Sequence, residues 1–159
     1  MTRPKTFENY AKWNVLIVED DLKTRAELLR AIRAVAHCTT TGNGGEALEI
    51  FFKAAKKQKR FDFILLDITL PAYRPPAGRA GTGRSAVNGF EVLKTIRAHE
   101  ESASVKKPTC IIMVTAYKDS LMSHYNMGWD AFITKPLDEK KLIEKMRALL
   151  TSRTQLTSP

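Results

Sequence analysis

Long apolar runs are absent from this 159-residue chain. No stretch approaches the roughly 18 apolar residues that a membrane-spanning helix needs, and residues 1–13 contain no apolar segment resembling a secretory signal. We therefore expect a cytoplasmic protein without a membrane span. Cysteine is scarce as well, and Cys38 and Cys110 each lie in a strand-like run. This count and placement predict two buried, reduced thiols rather than a disulfide or a cysteine metal site.

Two common ligand-binding motifs, GxGxxG and HExxH, are also missing. Segment 78–85 comes within one residue of the phosphate-binding loop GxxxxGK(S/T), but it follows Pro75-Pro76 instead of a buried strand, and Arg84 replaces the lysine. These departures argue against nucleotide binding. The histidines are isolated from one another and are interpreted as core or surface residues: His37, His99 and His124.

Acidic residues are in the minority, with 17 Asp and Glu against 26 Lys and Arg and a net charge of +9. The cations are scattered over the end of one predicted helix at 53–60, a loop at 72–87 and a C-terminal helix. A solvated surface is the simplest interpretation, and an acidic partner surface or nucleic acid is the alternative. The apolar and charged fractions, 43% and 27%, are typical of a soluble globular protein of one domain.

Short apolar runs alternate with segments of helical spacing, which predicts an α/β fold with a parallel sheet. Aspartates stand where they can cap the first and last helices. The predicted strands are 14–18, 36–40, 61–66, 110–114 and 131–134. The predicted helices have their apolar faces within 22–32, 47–55, 90–97, 120–127 and 142–150.

Polar residues follow four of these strands where each one ends, and they are Glu19-Asp20, Asp67, Thr115 and Lys135. In a parallel sheet the carboxyl ends of the strands share one edge, so these side chains are expected to converge in a shallow crevice. Three crowded carboxylates need a cation, and their oxygens suit Mg²⁺. An ionised carboxylate can act as a nucleophile on phosphorus, with a metal and an ammonium neutralising the transferred group. Each residue alone could be a helix cap, a strand-end cap or an ion-pair partner. The full set in this order predicts a metal-binding site for phosphoryl transfer.

Four segments carry a resemblance to the receiver domain of two-component response regulators over roughly residues 13–150: 16–21, 65–71, 114–116 and 134–136. The resemblance implies an open five-stranded parallel sheet with helices on both faces and the flavodoxin-like strand order 2-1-3-4-5. It implies a Mg²⁺ site formed by Glu19, Asp20, Asp67 and the Thr69 backbone carbonyl.

The resemblance also implies a role for each residue of the crevice. Asp67 would be the phosphoacceptor, assisted by Thr115 and Lys135, and Thr115 would form the switch together with Phe132. The remaining implied roles are modulation of acyl-phosphate hydrolysis by Thr69 and Tyr117, and a cis peptide bond at Pro136.

The function implied is that of a single-domain, chemotaxis-regulator-like phosphorelay switch, not an enzyme in the ordinary sense. A sensor histidine kinase or histidine phosphotransfer protein would donate the phosphoryl group. A downstream target or a second copy would bind the face formed by the fourth predicted helix, the fifth strand and the fifth helix. The alternative hypothesis is a phosphorylation-independent interaction module, and a third, less favoured, is a nucleic-acid-binding protein.

One departure from the family is an insertion at residues 72–87, which separates the phosphoacceptor strand from its helix. It is rich in Pro, Gly and Arg, and it could gate the crevice, contact a partner or be tolerated surface elaboration. The predicted organisation is an extension at 1–12, the receiver at 13–150 and a tail at 151–159. Such a tail is too short for an output domain, so we expect output through a partner unless the chain is a fragment.

Overall fold

Five strands and four helices form the part of the chain that this computed structural model describes, residues 12–71, 88–116 and 127–155. The strands and helices alternate along the chain up to the fourth strand, as the sequence pattern predicts. In chain order they are β1 Trp13–Val18, α1 Leu22–Ile32, β2 Ala36–Thr41, α2 Gly44–Lys56, β3 Phe63–Asp67, α3 Gly89–Ser102, β4 Cys110–Thr115, β5 Ala131–Thr134 and α4 Glu139–Gln155.

All four strand pairings are parallel, and the sheet order is β2-β1-β3-β4-β5. The predicted fold class and strand order are therefore confirmed. The sheet separates two hydrophobic cores, one shared with α2 and α3 and the other with α1 and α4. The central strand β3 supplies both cores in alternation, with Ile64 and Leu66 on one face and Phe63 and Leu65 on the other. Burial on both faces explains its nearly continuous apolar sequence.

Short polar side chains cap the starts of the helices. Asp21 accepts the N–H of Thr24 at 2.7 Å in front of α1, and Asn43 accepts that of Glu46 at 2.7 Å in front of α2. Before α3, Asn88 forms a reciprocal capping box with Glu91. Such caps satisfy backbone donors that have no partner inside the helix, and they place the start of each helix beside the carboxyl ends of the strands.

Three details differ from the sequence pattern. Strand β3 begins at Phe63 rather than at residue 61, and Asp62 just before it bonds to Asn14 through both its N–H and its carboxylate, each at 2.8 Å. Cys110 is buried as expected, but Cys38 is only half-buried because β2 lies at the edge of the sheet. The last helix, α4, runs to Gln155 and so includes residues 151–155 of the predicted tail. Residues 1–11 and 156–159, the insertion at 72–87 and most of the predicted helix at 120–127 lie outside the described residues.

None of the helices in the described ranges combines the length and the hydropathy needed to cross a membrane.

Candidate functional site

Three carboxylates meet at the carboxyl edge of the sheet. Glu19 follows β1, Asp20 comes next, and Asp67 is the last residue of β3. One oxygen from each lies within 4.8 Å of the others. Glu19 and Asp67 are buried, at 0% and 5% exposure, whereas Asp20 is exposed. The cluster therefore has a closed side formed by the sheet and an open side that water and solutes reach.

A single ammonium group joins two of these carboxylates. Nζ of Lys135 lies 2.9 Å from Oε2 of Glu19 and 3.0 Å from Oδ2 of Asp67, to which it donates a hydrogen bond. The contact with Glu19 is close but poorly aligned, and Oε2 of Glu19 is a buried oxygen without a hydrogen-bond donor among the described residues. Lys135 is held in place by its N–H, which donates to the Thr115 carbonyl at 2.8 Å. The Lys135–Pro136 peptide bond is cis.

Burial and neighbouring charge shift the pKa values of Glu19 and Lys135. Burial is the main cause that raises the pKa of Glu19 to about 7, the charge of Asp67 adds to it, and the contact with Lys135 opposes it. For Lys135, burial lowers the pKa, but the contacts with Glu19 and Asp67 outweigh burial and raise it above its usual value. With all groups ionised, three carboxylates and one ammonium leave two uncompensated negative charges in a partly buried cluster.

These observations fit a hard divalent cation. Carboxylate oxygens with an open side for water are the ligands that Mg²⁺ takes, and its charge would balance the excess. The buried Glu19 oxygen that lacks an aligned donor is accounted for by such an ion. The residues present therefore suit the Mg²⁺ site that the resemblance implies.

Two further predicted residues lie at the same edge. Thr115 ends β4, is 2% exposed and pairs in register with Thr134 of β5. Asp67 pairs with Val114, so Thr115 stands one residue beyond Asp67 on the neighbouring strand. Thr69 is exposed, and its N–H donates to Oδ1 of Asp67 at 3.1 Å. Both oxygens of Asp67 thus have a donor, one from the backbone and one from Lys135.

The aromatic residue of β5, Phe132, is half-buried rather than fully inside the core. Its ring packs edge-on against Trp129 with 5.8 Å between centroids, and the Lys145 ammonium lies 5.5 Å from its centre. Phe132 therefore lies at the surface between β5 and α4. A change in its rotamer would alter the surface that a partner contacts there. Tyr117 lies outside the described residues.

Sequence analysis missed two neighbours of the site. Arg25, on α1, donates to the Glu19 carbonyl at 3.1 Å and so fixes the backbone that carries the acidic pair. Gly89, the first residue of α3, packs so tightly that a Cβ there would overlap the Asp67 carbonyl oxygen. The only sequence signals were a cation six residues after Glu19 and a glycine after Asn88. Neither is distinctive without the fold.

The five-stranded fold and this acidic crevice define a receiver-type signalling module. The sequence matches the response regulator receiver domain family over residues 15–147. The chain therefore belongs to that family, whose members act in two-component systems as switches rather than as enzymes in the ordinary sense.

Comparison with individual proteins agrees with membership of the receiver domain family. The chain is 26% identical over 140 residues to the transcriptional regulatory protein PrrA of Mycobacterium tuberculosis, covering 87% of this chain and 50% of that protein. It is 21% identical over 148 residues to the probable histidine kinase 2 of Oryza sativa subsp. indica, covering 86% of this chain and 13% of that protein. The chain thus spans half or less of these relatives. A CheY-like receiver domain structure from Methanospirillum hungatei superposes with a TM-score of 0.66 at 24% identity, covering 91% of this chain and 98% of that one.

Proposed function

We propose that this receiver is a Mg²⁺-dependent phosphorylation switch that accepts a phosphoryl group on Asp67 from a sensor histidine kinase or a histidine phosphotransfer protein. One observation carries the proposal. The Lys135 ammonium bridges the buried carboxylates of Glu19 and Asp67, while exposed Asp20 leaves one side of the cluster open. A purely structural ion pair does not need a third carboxylate beside the two that Lys135 contacts, at a solvent-accessible edge.

In the proposed reaction, a carboxylate oxygen of Asp67 attacks the phosphorus atom of a phosphohistidine. The new P–O bond forms as the P–N bond breaks, and the imidazole leaves as the neutral base after taking a proton. Lys135 neutralises oxygens of the transferred group, and the Thr69 N–H orients the attacking carboxylate. When bound by Glu19, Asp20, Asp67 and the Thr69 carbonyl, Mg²⁺ supplies further charge neutralisation. The product is an acyl phosphate on Asp67.

The same proposal assigns the switch to Thr115 and Phe132. The Thr115 hydroxyl would hydrogen-bond the phosphoryl group, and Phe132 would turn inward into the space that Thr115 leaves. Half-burial of Phe132 beside Trp129 supports this role, because the ring is not locked inside the core. Thr69 and Tyr117 would set the access of water to the acyl phosphate. The output surface would include β5 and α4, where a downstream target or a second copy binds.

The decisive experiment is intact-mass analysis after incubation with a small-molecule phosphodonor and Mg²⁺. We expect one phosphoryl adduct on the wild type, none on Asp67→Asn and none when a chelator is present. Asp62→Asn is the matched control, since Asp62 is an exposed carboxylate at the other end of the same strand, and it should be phosphorylated normally. An adduct that survives in Asp67→Asn would refute the assignment, and no adduct in any sample would favour the phosphorylation-independent interaction module.

A further inference from the structure

A group of cations lies at the amino edge of the sheet, opposite the acidic crevice. Three adjoining hollows there are all lined by Arg60 and Phe61, and the two larger ones have volumes of about 840 and 410 Å³. We call the combined feature the amino-edge groove. Its exposed cations are Lys53, Lys57, Lys59, Arg60 and Lys107.

The turn after α2 presents most of this charge in a defined geometry. The sequence pattern placed the basic run at the close of a helix, but α2 ends at Lys56 and the run continues beyond it. Gln58 adopts the left-handed conformation with φ of +55°, and its N–H and that of Lys59 donate to the last turn of α2, each at 3.0 Å. Asp62 then anchors the far end of the turn to the Asn14 N–H. Hydrogen bonds at both ends therefore fix the backbone of the turn that carries Lys57, Lys59 and Arg60.

The positive charge of the groove is not neutralised within the described residues. None of its five cations lies within 4.0 Å of a carboxylate there. Two acids line the groove: Asp62 accepts a backbone N–H, and Glu100 pairs with Arg97. A helix carboxyl end carries only about half a negative charge, so the end of α2 does not balance Lys57, Lys59 and Arg60 together.

From these contacts we propose that the amino-edge groove binds the phosphate backbone of single-stranded nucleic acid. Exposed cations that have no carboxylate partner among the described residues, beside three adjoining hollows, suit a polyanion. Phe61 lines all three hollows as a half-buried ring that a base can contact, whereas His99 is already packed edge-on against Phe51 and Phe52. The exposed large apolar side chain of the described residues, Leu22, lies at the opposite edge of the sheet, so the groove presents mainly positive charge to a partner.

The test measures fluorescence anisotropy of a labelled mixed-sequence oligonucleotide, as DNA and as RNA, against the full chain at increasing salt. Polyglutamate and anionic phospholipid vesicles are tested in parallel, and they represent an acidic protein segment and a membrane surface. We expect saturable oligonucleotide binding that weakens as salt rises, with each phosphate contact contributing about 0.7 to the logarithmic salt slope for a single strand. The double variant Lys59→Gln/Arg60→Gln should bind at least about tenfold more weakly, with a slope smaller by about 1.4.

The matched control removes two exposed lysines at the opposite edge, Lys23→Gln/Lys140→Gln, and should bind like the wild type. Both double variants should still be phosphorylated on Asp67, which shows that the fold is intact and separates this proposal from the proposed function. The proposal is overturned by absence of oligonucleotide binding at low salt, by equal loss of binding in the control variant, or by tighter binding to polyglutamate or to vesicles.

Discussion

The Lys135 ammonium lies 3.0 Å from Oδ2 of Asp67, although the two residues are 68 positions apart in the chain. The contact exists because β5 and β3 flank β4 in one parallel sheet and end at the same edge. The same ammonium is 2.9 Å from Oε2 of Glu19 at the end of β1. The two contacts of this ammonium therefore depend on where β1, β3 and β5 end. Replacing Lys135 by a neutral residue changes the charge of the whole crevice.

Replacing Lys135 by Gln should slow phosphorylation without removing the metal site. The ammonium is expected to stabilise charge on the transferred phosphoryl group, and loss of such a donor slows reactions by about 10²-fold. Mg²⁺ should bind at least as tightly, because a competing positive charge has been removed. Rates of adduct formation and calorimetric Mg²⁺ titrations measure both effects. Lys140→Gln is the control, and weaker Mg²⁺ binding in Lys135→Gln would contradict this account.

Stability in the absence of divalent metal should fall as the pH rises from about 4.5 to about 7. The pKa of Glu19 is 4.5 in an unperturbed carboxyl and about 7 in the folded protein, so within this window the folded state holds a proton that the unfolded chain has lost. The free energy of unfolding must then decrease with rising pH. Urea unfolding across the window in a chelating buffer measures the slope.

Glu19→Gln keeps the buried group neutral, so its free energy of unfolding should depend less on pH in this window. Glu139→Gln, which removes an exposed carboxylate, should behave like the wild type. Equal slopes for the wild type and Glu19→Gln would show that another group causes the dependence.

Mg²⁺ should stabilise the wild type against unfolding, and Asp20→Asn should abolish most of this effect. A ligand that binds only the folded state at about 100 times its Kd contributes about 2.7 kcal/mol. Asp20 is the exposed member of the carboxylate cluster, so its replacement removes a metal ligand without opening the core. The control is Asp21→Asn, because Asp21 faces Thr24 as a helix cap and asparagine caps equally well. Equal Mg²⁺ stabilisation of the wild type and Asp20→Asn would exclude Asp20 as a ligand.

The fold and the members of the crevice were predictable because their signals are local. Alternating apolar runs define strands, and Glu19, Asp67 and Lys135 interrupt those runs where strands end. Contacts across the sheet had no such signal. Half-burial of Cys38 depends on β2 being an edge strand, and the role of Arg25 depends on how α1 packs beside the acidic pair.

An ion network at the amino edge was also not predictable from local patterns. Asp130 accepts from Arg97 and Arg153, each at 2.8 Å, and from the Ile111 N–H at 2.7 Å. The arginines come from α3 and α4, so one carboxylate joins two helices to β4. In the sequence these residues are separate charged positions on different elements, and only the tertiary fold brings them together.

Asp130→Ala should therefore destabilise the protein by about 2–3 kcal/mol. It leaves the Ile111 N–H without its acceptor and removes one carboxylate partner from two partly buried guanidinium groups, although Arg97 still pairs with Glu100 and Arg153 still donates to the Pro108 carbonyl. Glu139→Ala is the comparison, since its pair with Arg30 is exposed on both sides and should contribute less than about 1 kcal/mol. Urea unfolding of both variants measures the difference. Similar losses for the two would mean that the Asp130 network is no more stabilising than a surface pair.

Gly89→Ala should damage both stability and phosphorylation. The added Cβ would overlap the Asp67 carbonyl oxygen and lie 2.8 Å from Cα of Ile68, so either α3 or the end of β3 must move. Overpacking of this kind destabilises by about 1–3 kcal/mol, and a shift of Asp67 would separate it from Lys135 and slow adduct formation. At Gly42 the nearest atom to an added Cβ is the flexible Arg25 guanidinium at 3.0 Å, so Gly42→Ala should be tolerated far better. If Gly89→Ala unfolds at the same urea concentration as Gly42→Ala and phosphorylates at the wild-type rate, then the start of α3 does not position Asp67.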